Sequence, residues 1–414
     1  MTTTIKGLDL CESFFKQVAK PILDSHFPAL QYSAGLIGSG SEVLGYDDEL
    51  STDHMWGARF QLFLPEGNFE IQKIKISEAF SLHFPYEFMG YSVNFGPPNE
   101  KDNGVRTPRR ITNGKVNPLV EYQTLPSFFH NYLGFTLADE ISISQWLTFS
   151  EHRLQGVSSG RIFHDDLGLD LVRRKLHYYP RDVWLWMMAS QWKMIAEEEA
   201  FVGRCGFVGD ELGSRLIAAR QVQRLMRLGF MLEKRYAPYS KWFGTAFKQL
   251  EISTQLIPIF EKVLGSQGWK EREDFLAQAY KIAAEKHNSL GITEVVDTKI
   301  ENYFNRPFKV IHAEKFSGAI LQVIQNEDLK HNLPLIGTPS QFTDYPLIND
   351  NLSTSEQISF SHEQHIRLSR IQQVDRHEKA NNTTQHQYGD QAGAAGEPIP
   401  ARWRCFTATF RHPC

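Results

Sequence analysis

The spacing of apolar positions changes character about a third of the way along the chain. In the first part, short apolar runs alternate with glycine-rich turns; from about Asp139 onward the period is helical. Leu8, Phe14, Phe15, Val18, Ile22 and Leu23 predict an amphipathic helix over 8–29, bent or restarted at Pro21. Residues 30–37 have the short apolar make-up of a buried strand. Residues 58–64 (ARFQLFL) alternate like a half-buried strand, and a Pro-Glu-Gly-Asn turn leads to a second alternating or helical segment at 69–77. A polar Pro/Gly/Asn-rich loop at 96–118 precedes another strand candidate, 119–122. Its carboxylate, Glu121, has apolar neighbours, so it either forms a salt bridge or does chemistry.

In the helical part, Trp184, Met187, Met188, Trp192 and Ile195 mark one aromatic-rich helix. Residues 213–236 mark another, with Leu216, Ala219, Leu225, Leu228 and Met231 expected inward. Arg220, Arg224 and Arg227 fall at i, i+4 and i+7, on one face. That face is either a solvated charged surface or a phosphate-facing stripe, since guanidinium matches phosphate oxygens bidentately. Helical segments at 247–263 and 271–284 come next, broken at 265–268, and then a smaller helical extension. After residue 351, Ser, Gln, His, Asn and Thr dominate, a composition unable to bury enough apolar surface to order itself. The expected organisation is a first domain over 1–137, a helical domain over 138–290, a helical extension over 291–350 and a disordered tail over 351–414.

Composition narrows the function classes. The 414 residues are 41% hydrophobic and 12% aromatic, ample for sizeable cores in more than one domain. A formal charge of −4 gives no whole-chain argument for a nucleic-acid or membrane partner. Cys11, Cys205, Cys405 and Cys414 are scattered, which argues against a disulfide framework or a zinc site. The N-terminal stretch lacks the pattern of a signal peptide, and no apolar run approaches the roughly 20 residues of a membrane span. A cytoplasmic protein is expected.

The candidate chemistry lies in 34–59, AGLIGSGSEVLGYDDELSTDHMWGAR. Gly38, Gly40 and Gly45 permit close backbone approach or positive φ. Asp47, Asp48, Glu49 and Asp53 supply the hard oxygen ligands that Mg²⁺ prefers. The glycine spacing fits neither a dinucleotide fingerprint nor a Walker loop. On spacing alone, a phosphate cradle beside metal ligands and a glycine-rich turn with solvated acids both stand. Elsewhere, Asp165 or Asp166 is expected to cap a helix. Cys205, with no histidine partner in an obvious motif, reads as a buried small residue rather than a nucleophile.

The order of these features resembles the nucleotidyltransferase superfamily with the polymerase-β-like fold. Within it, the chain is similar to the DUF4037 family across roughly residues 7–345. The blocks that carry this are GSGSEVLGYDDELSTDHMWGARFQLFL (38–64), the helical stretch 179–247, FFHNYLG (128–134), RIFHDDLG (161–168) and NRPFKVI (305–311). The resemblance implies an α+β fold, with an N-terminal mixed sheet flanked by helices and a mainly α-helical domain after it. It implies that Gly40 and Ser41 contact the triphosphate of a nucleotide. Asp53 would be the first acid of an Asp-x-Asp pair holding two Mg²⁺ ions. Glu121 would be the third carboxylate, acting as base or metal ligand, and Lys241 would reach the phosphates. Arg224 is assigned to nucleotide from the arginine stripe. The implied reaction is attack of a small-molecule hydroxyl on the α-phosphate, transferring a nucleoside monophosphate, in the first instance AMP from ATP, with pyrophosphate leaving.

One position departs from the pattern. The second acid of the pair falls at residue 55, which is Met55. A thioether is a soft ligand that does not hold Mg²⁺. Asp47, Asp48 or His54 substitutes for the missing acid, or the protein binds nucleotide without turning it over, or the copy is degraded. Arg59, just beyond, pairs with either a carboxylate or a phosphate.

Overall fold

The computed structural model describes residues 5–345 except 54, 103 and 138, together with short stretches between 351 and 369. The expected tail over 351–414 lies, apart from those short stretches, outside the described residues. The described residues up to 365 form one compact unit. The fold is α+β: a four-stranded sheet gathers the early part of the chain, and the later part is mostly helical.

The sheet strands are β1 (Ser33–Leu36), β2 (Arg59–Phe63), β3 (Leu119–Gln123) and β4 (Arg161–Asp165), in the order β3-β2-β1-β4. β1 runs antiparallel to β2 and β4, whereas β2 and β3 are parallel, with Gln61 opposite Glu121. β4 comes from the stretch assigned by pattern to the helical domain. All five residues of β2 are buried, so the expected half-buried strand is covered on both faces. Phe60 and Leu62 point to one side, where Phe14, Phe15, Ile76 and Phe80 complete a core. The Phe15 and Phe60 rings lie 5.3 Å apart, edge to face. Full burial of one such ring contributes about 1.5–3 kcal/mol. Arg59, Gln61 and Phe63 share the opposite side, and Phe63 packs 5.5 Å from Phe128. That second side holds the candidate site.

The N-terminal helix begins as α1 (Gly7–Phe14) and passes through a π-helical turn at Phe15–Ala19 before Lys20–His26. Pro21 has no N–H to return to the preceding turn, and the wider turn absorbs that gap. The segment expected at 69–77 is a full helix, Phe69–His83.

Among the later helices, α2 (Arg181–Glu198) and α3 (Glu211–Leu232) pack together, with Gln221 Nε2 donating to the Ile195 carbonyl at 3.2 Å. Trp192 is fully buried, stacks on Phe316 at 4.4 Å and donates to His287 Nδ1 at 3.3 Å. The inward face of α3 is carried by Ser214, Ala218, Val222, Leu225 and Leu228, while Leu216 is exposed. The periodicity is right, and its phase in the first turns differs by about one residue from the expected one.

Glu151 is buried near Arg227, at 3.7 Å, in this part of the molecule. Burial raises its pKa from 4.5 to about 7 despite that arginine. Between pH about 5 and about 7 the folded chain therefore keeps a proton that the unfolded chain has released. Stability should fall as pH rises through that window, by on the order of 3 kcal/mol from this group. His287 acts in the opposite sense, because burial lowers its pKa to about 4. The diagnostic quantity is thus the comparison with Glu151→Gln. In thermal denaturation at pH 5 and pH 7.5, the variant should gain on the wild type at the higher pH. Parallel profiles would show that Glu151 is ionised throughout.

Candidate functional site

The second side of the sheet opens into a cleft of about 820 Å³. Its wall begins where β1 ends. Gly38 and Gly40 have φ of +88° and +137°, values that side-chain-bearing residues rarely adopt. The turn is anchored at three points. Ile37 N–H donates to Gln61 Oε1 at 3.0 Å, Gly38 N–H donates to the Gly156 carbonyl at 2.9 Å, and the Ser39 carbonyl accepts from Arg59 Nη2 at 3.2 Å. The N–H groups of Ser39, Gly40 and Ser41 take no acceptor among the described residues. Successive free N–H groups on a turn of this kind form a concavity suited to anions.

The floor is an ion triad. Arg59 Nε and Nη2 donate to Glu42 Oε1 at 2.8 and 2.6 Å, and Nη1 lies 3.6 Å from Glu121 Oε1. Both Arg59 and Glu42 are buried, whereas the Glu121 side chain keeps 35% of its exposure. Burial opposes the charge of Arg59, but Glu42 and then Glu121 outweigh it and hold the guanidinium pKa above its ordinary value. Gln61 Nε2 approaches Glu121 at 3.5 Å. The strand register explains this grouping. Residues 59 and 61 alternate onto the cleft side of β2, and β3 places Glu121 directly beside Gln61. Arg59 therefore pairs with carboxylates.

Gly40, Ser41, Glu121 and Lys241 all line this one cleft, together with Met55. Lys241 arrives on the helix Ser240–Phe247 and has no ion-pair partner among the described residues; its ammonium lies 4.8 Å from the Trp242 ring. Asp53 closes the 3₁₀ turn Glu49–Asp53, and its side chain, like the whole of His54, lies outside the described residues.

Arg224, expected at the nucleotide, does not line this cleft. Its guanidinium bonds Glu198 at 2.8 Å and the Met194 carbonyl at 2.6 Å on α2. Arg220 shares Glu198, and Arg227 bonds Asp344 at 2.6 Å. The stripe fastens α3 to its neighbours. Its partners come from other elements, which helical spacing alone does not reveal.

Two expected substitute ligands are also committed. Asp47 is buried and turned toward α1, accepting from Gly7 N–H at 2.7 Å and from Trp56 Nε1 at 3.2 Å. A negative charge at a helix N-terminus is stabilising there. Gly7 must be glycine, since a β-carbon would lie 2.5 Å from Trp56 Nε1. Asp48 Oδ1 caps the next turn, accepting from Leu50 and Ser51 N–H at 2.9 and 3.1 Å. Met55, at φ +48°, is fixed by its N–H to the Arg106 carbonyl. The described carboxylates of the cleft are thus each engaged within the chain, and the side chain of Asp53, the first acid of the expected pair, lies outside the described residues. Of the described carboxylates lining the cleft, Glu42 is tied to Arg59, Asp48 caps its own turn, and Glu121 has a guanidinium beside it. The described cluster with ligand atoms close enough to share an ion is Glu199, His312 and Glu314, outside the cleft.

Gly156 is the residue that sequence reasoning missed. A β-carbon there would sit 2.4 Å from the Gly38 carbonyl oxygen. A glycine in an otherwise ordinary helical segment (Glu151–Ser158) is the one signal available in the sequence. Asp165 caps the helix Leu169–Lys175 as expected, accepting from the N–H groups of Gly168, Leu169 and Asp170 at 2.9 Å. Cys205 is half-buried.

Residues 146–243 match a family model described as domain of unknown function DUF4037. The match takes in Lys241 and stops short of the Gly38–Ser41 turn. No curated protein matches the chain. A solved nucleotidyltransferase-like protein from Exiguobacterium sibiricum 255-15 is 11% identical, over 77% of this chain and 92% of that one, with a TM-score of 0.29.

Proposed function

We propose that this chain, a DUF4037-family protein by its residues 146–243, binds a nucleoside triphosphate, in the first instance ATP, in the cleft beside β2. The phosphates would rest on the turn at Gly40 and Ser41, with Lys241 opposite. The observation that carries the reading is the run of N–H groups at Ser39, Gly40 and Ser41 with no acceptor among the described residues. Lys241, with no ion-pair partner among the described residues, lines the same cleft and supports it further. Transfer of a nucleoside monophosphate to a small-molecule hydroxyl with Mg²⁺ is the activity this arrangement would have lost. Met55 stands where the second acid was needed, and Asp47 and Asp48 are occupied with capping.

The test is calorimetric titration with ATP alongside an assay of pyrophosphate release. The wild type should bind ATP, and Lys241→Ala should weaken binding about tenfold, the value of one charged contact of about 1.4 kcal/mol. Mg²⁺-dependent pyrophosphate release should be absent. Release that Glu121→Gln abolishes would instead establish a working transferase. Failure of the wild type to bind ATP would remove the nucleotide reading.

A further inference from the structure

Two described carboxylates of the cleft, Glu42 and Glu121, share one cationic partner, Arg59. On the cleft side of β2 the side chains between the Gly-Ser turn and Glu121 are Arg59 and Gln61. The guanidinium donates to Glu42 with Nε and Nη2 and to the Ser39 carbonyl with Nη2. Among the described residues its Nη1 makes no hydrogen bond, and its ion-pair partner is Glu121 at 3.6 Å. The side chain carries five N–H donors in a rigid fork, so Nη1 still has donors to offer on the cleft side.

We propose that Arg59 is the resident cation of this cleft, its guanidinium held between Glu42 and Glu121 where a divalent ion would otherwise sit, so that phosphates are bound without one. The proposal deepens the nucleotide-binding reading and rests on it. A fixed charge in this position acts in two ways. It neutralises the two carboxylates that would draw in a metal, and a divalent ion entering beside Glu121 would meet a buried positive charge. It also presents planar donors to the same anion that the Ser39–Ser41 N–H groups face. Gly40 belongs to this design. Its β-carbon would lie 2.6 Å from Glu42 Oε2 and 2.8 Å from Arg59 Nη2, so the turn and the triad fit only with glycine there.

Three measurements on the full chain test the proposal. Mn²⁺ titration followed by electron paramagnetic resonance should show no binding to the wild type that Glu121→Gln removes, any ion held by Glu199, His312 and Glu314 being unaffected by that variant. Arg59→Gln, which removes the charge and leaves Glu42 and Glu121 uncompensated, should gain Mn²⁺ binding. ATP affinity should differ by less than about tenfold between Mg²⁺ and EDTA. Wild-type Mn²⁺ binding that Glu121→Gln removes would overturn the proposal. So would a folded Arg59→Gln protein that takes no more Mn²⁺ than the wild type, or a loss of ATP affinity in EDTA of about tenfold or more. If Arg59→Gln does not fold, the two wild-type measurements decide. A protein that binds ATP only with Mg²⁺ refutes the resident cation and keeps the nucleotide site. A protein that binds neither ATP nor any Mn²⁺ dependent on Glu121 refutes the nucleotide site and leaves the charge-compensated floor standing.

Discussion

Replacing Glu42 with alanine should destabilise the protein by about 3–5 kcal/mol, the cost of leaving a buried charge without its partner. Arg59 makes its two shortest side-chain bonds to Glu42 Oε1, and both residues are nearly inaccessible to water. Without Glu42 the guanidinium keeps, among the described residues, the Ser39 carbonyl and the looser approach of Glu121. Glu121→Ala should cost far less, at most about 1 kcal/mol, because that pair is longer and the carboxylate is partly solvated. The comparison is made by urea denaturation of the two variants. Equal losses would mean that the Arg59 charge is shared evenly between the carboxylates, against the geometry. A double variant, Glu42→Ala with Arg59→Met, should recover much of the loss, since it leaves no buried charge unpaired and gives up the weaker bond to the Ser39 carbonyl.

The legible parts of this molecule are those whose cause is local. The Gly-Ser turn, the strand that carries Glu121 and the cap at Asp165 each arise from a few neighbouring residues, and all three stand where the pattern put them. The change of apolar period separated a strand-bearing first part from a helical second part, and the family resemblance supplied the α+β architecture. Arg59 was harder to place. The run ARFQLFL alternates, but both faces of β2 are buried, so alternation does not say which side is core and which is cleft. The parallel pairing with β3 settles that, and the pairing is a long-range fact. The acidic cluster misled for a related reason. Asp47 is bonded to Gly7 and Trp56, and the partner at Gly7 lies forty residues back along the chain. Arg224 presents a helical stripe in the sequence, yet Glu198 on α2 already holds it.

The strongest effect on ligand binding with the fold retained is expected from Gly156→Ala. The added methyl group would lie 2.4 Å from the Gly38 carbonyl oxygen and 2.7 Å from the Tyr132 hydroxyl. The nearest obstacle is backbone, which cannot rotate away. Gly38 N–H also donates to the Gly156 carbonyl, so the helix and the turn are held in contact at this point. Relief requires moving the turn, and overpacking of this kind costs about 1–3 kcal/mol. The same movement displaces the Ser39–Ser41 N–H groups, so ATP affinity should fall at least about tenfold. Gly318→Ala provides the contrast. It makes the same chemical change inside the helix Glu314–Val323, where a β-carbon meets nothing within 4 Å. That variant should gain about 0.5–1 kcal/mol of stability, the usual advantage of alanine over glycine within a helix, with ATP affinity unchanged. If Gly156→Ala binds ATP as tightly as Gly318→Ala, the turn at Gly38 is not the phosphate cradle.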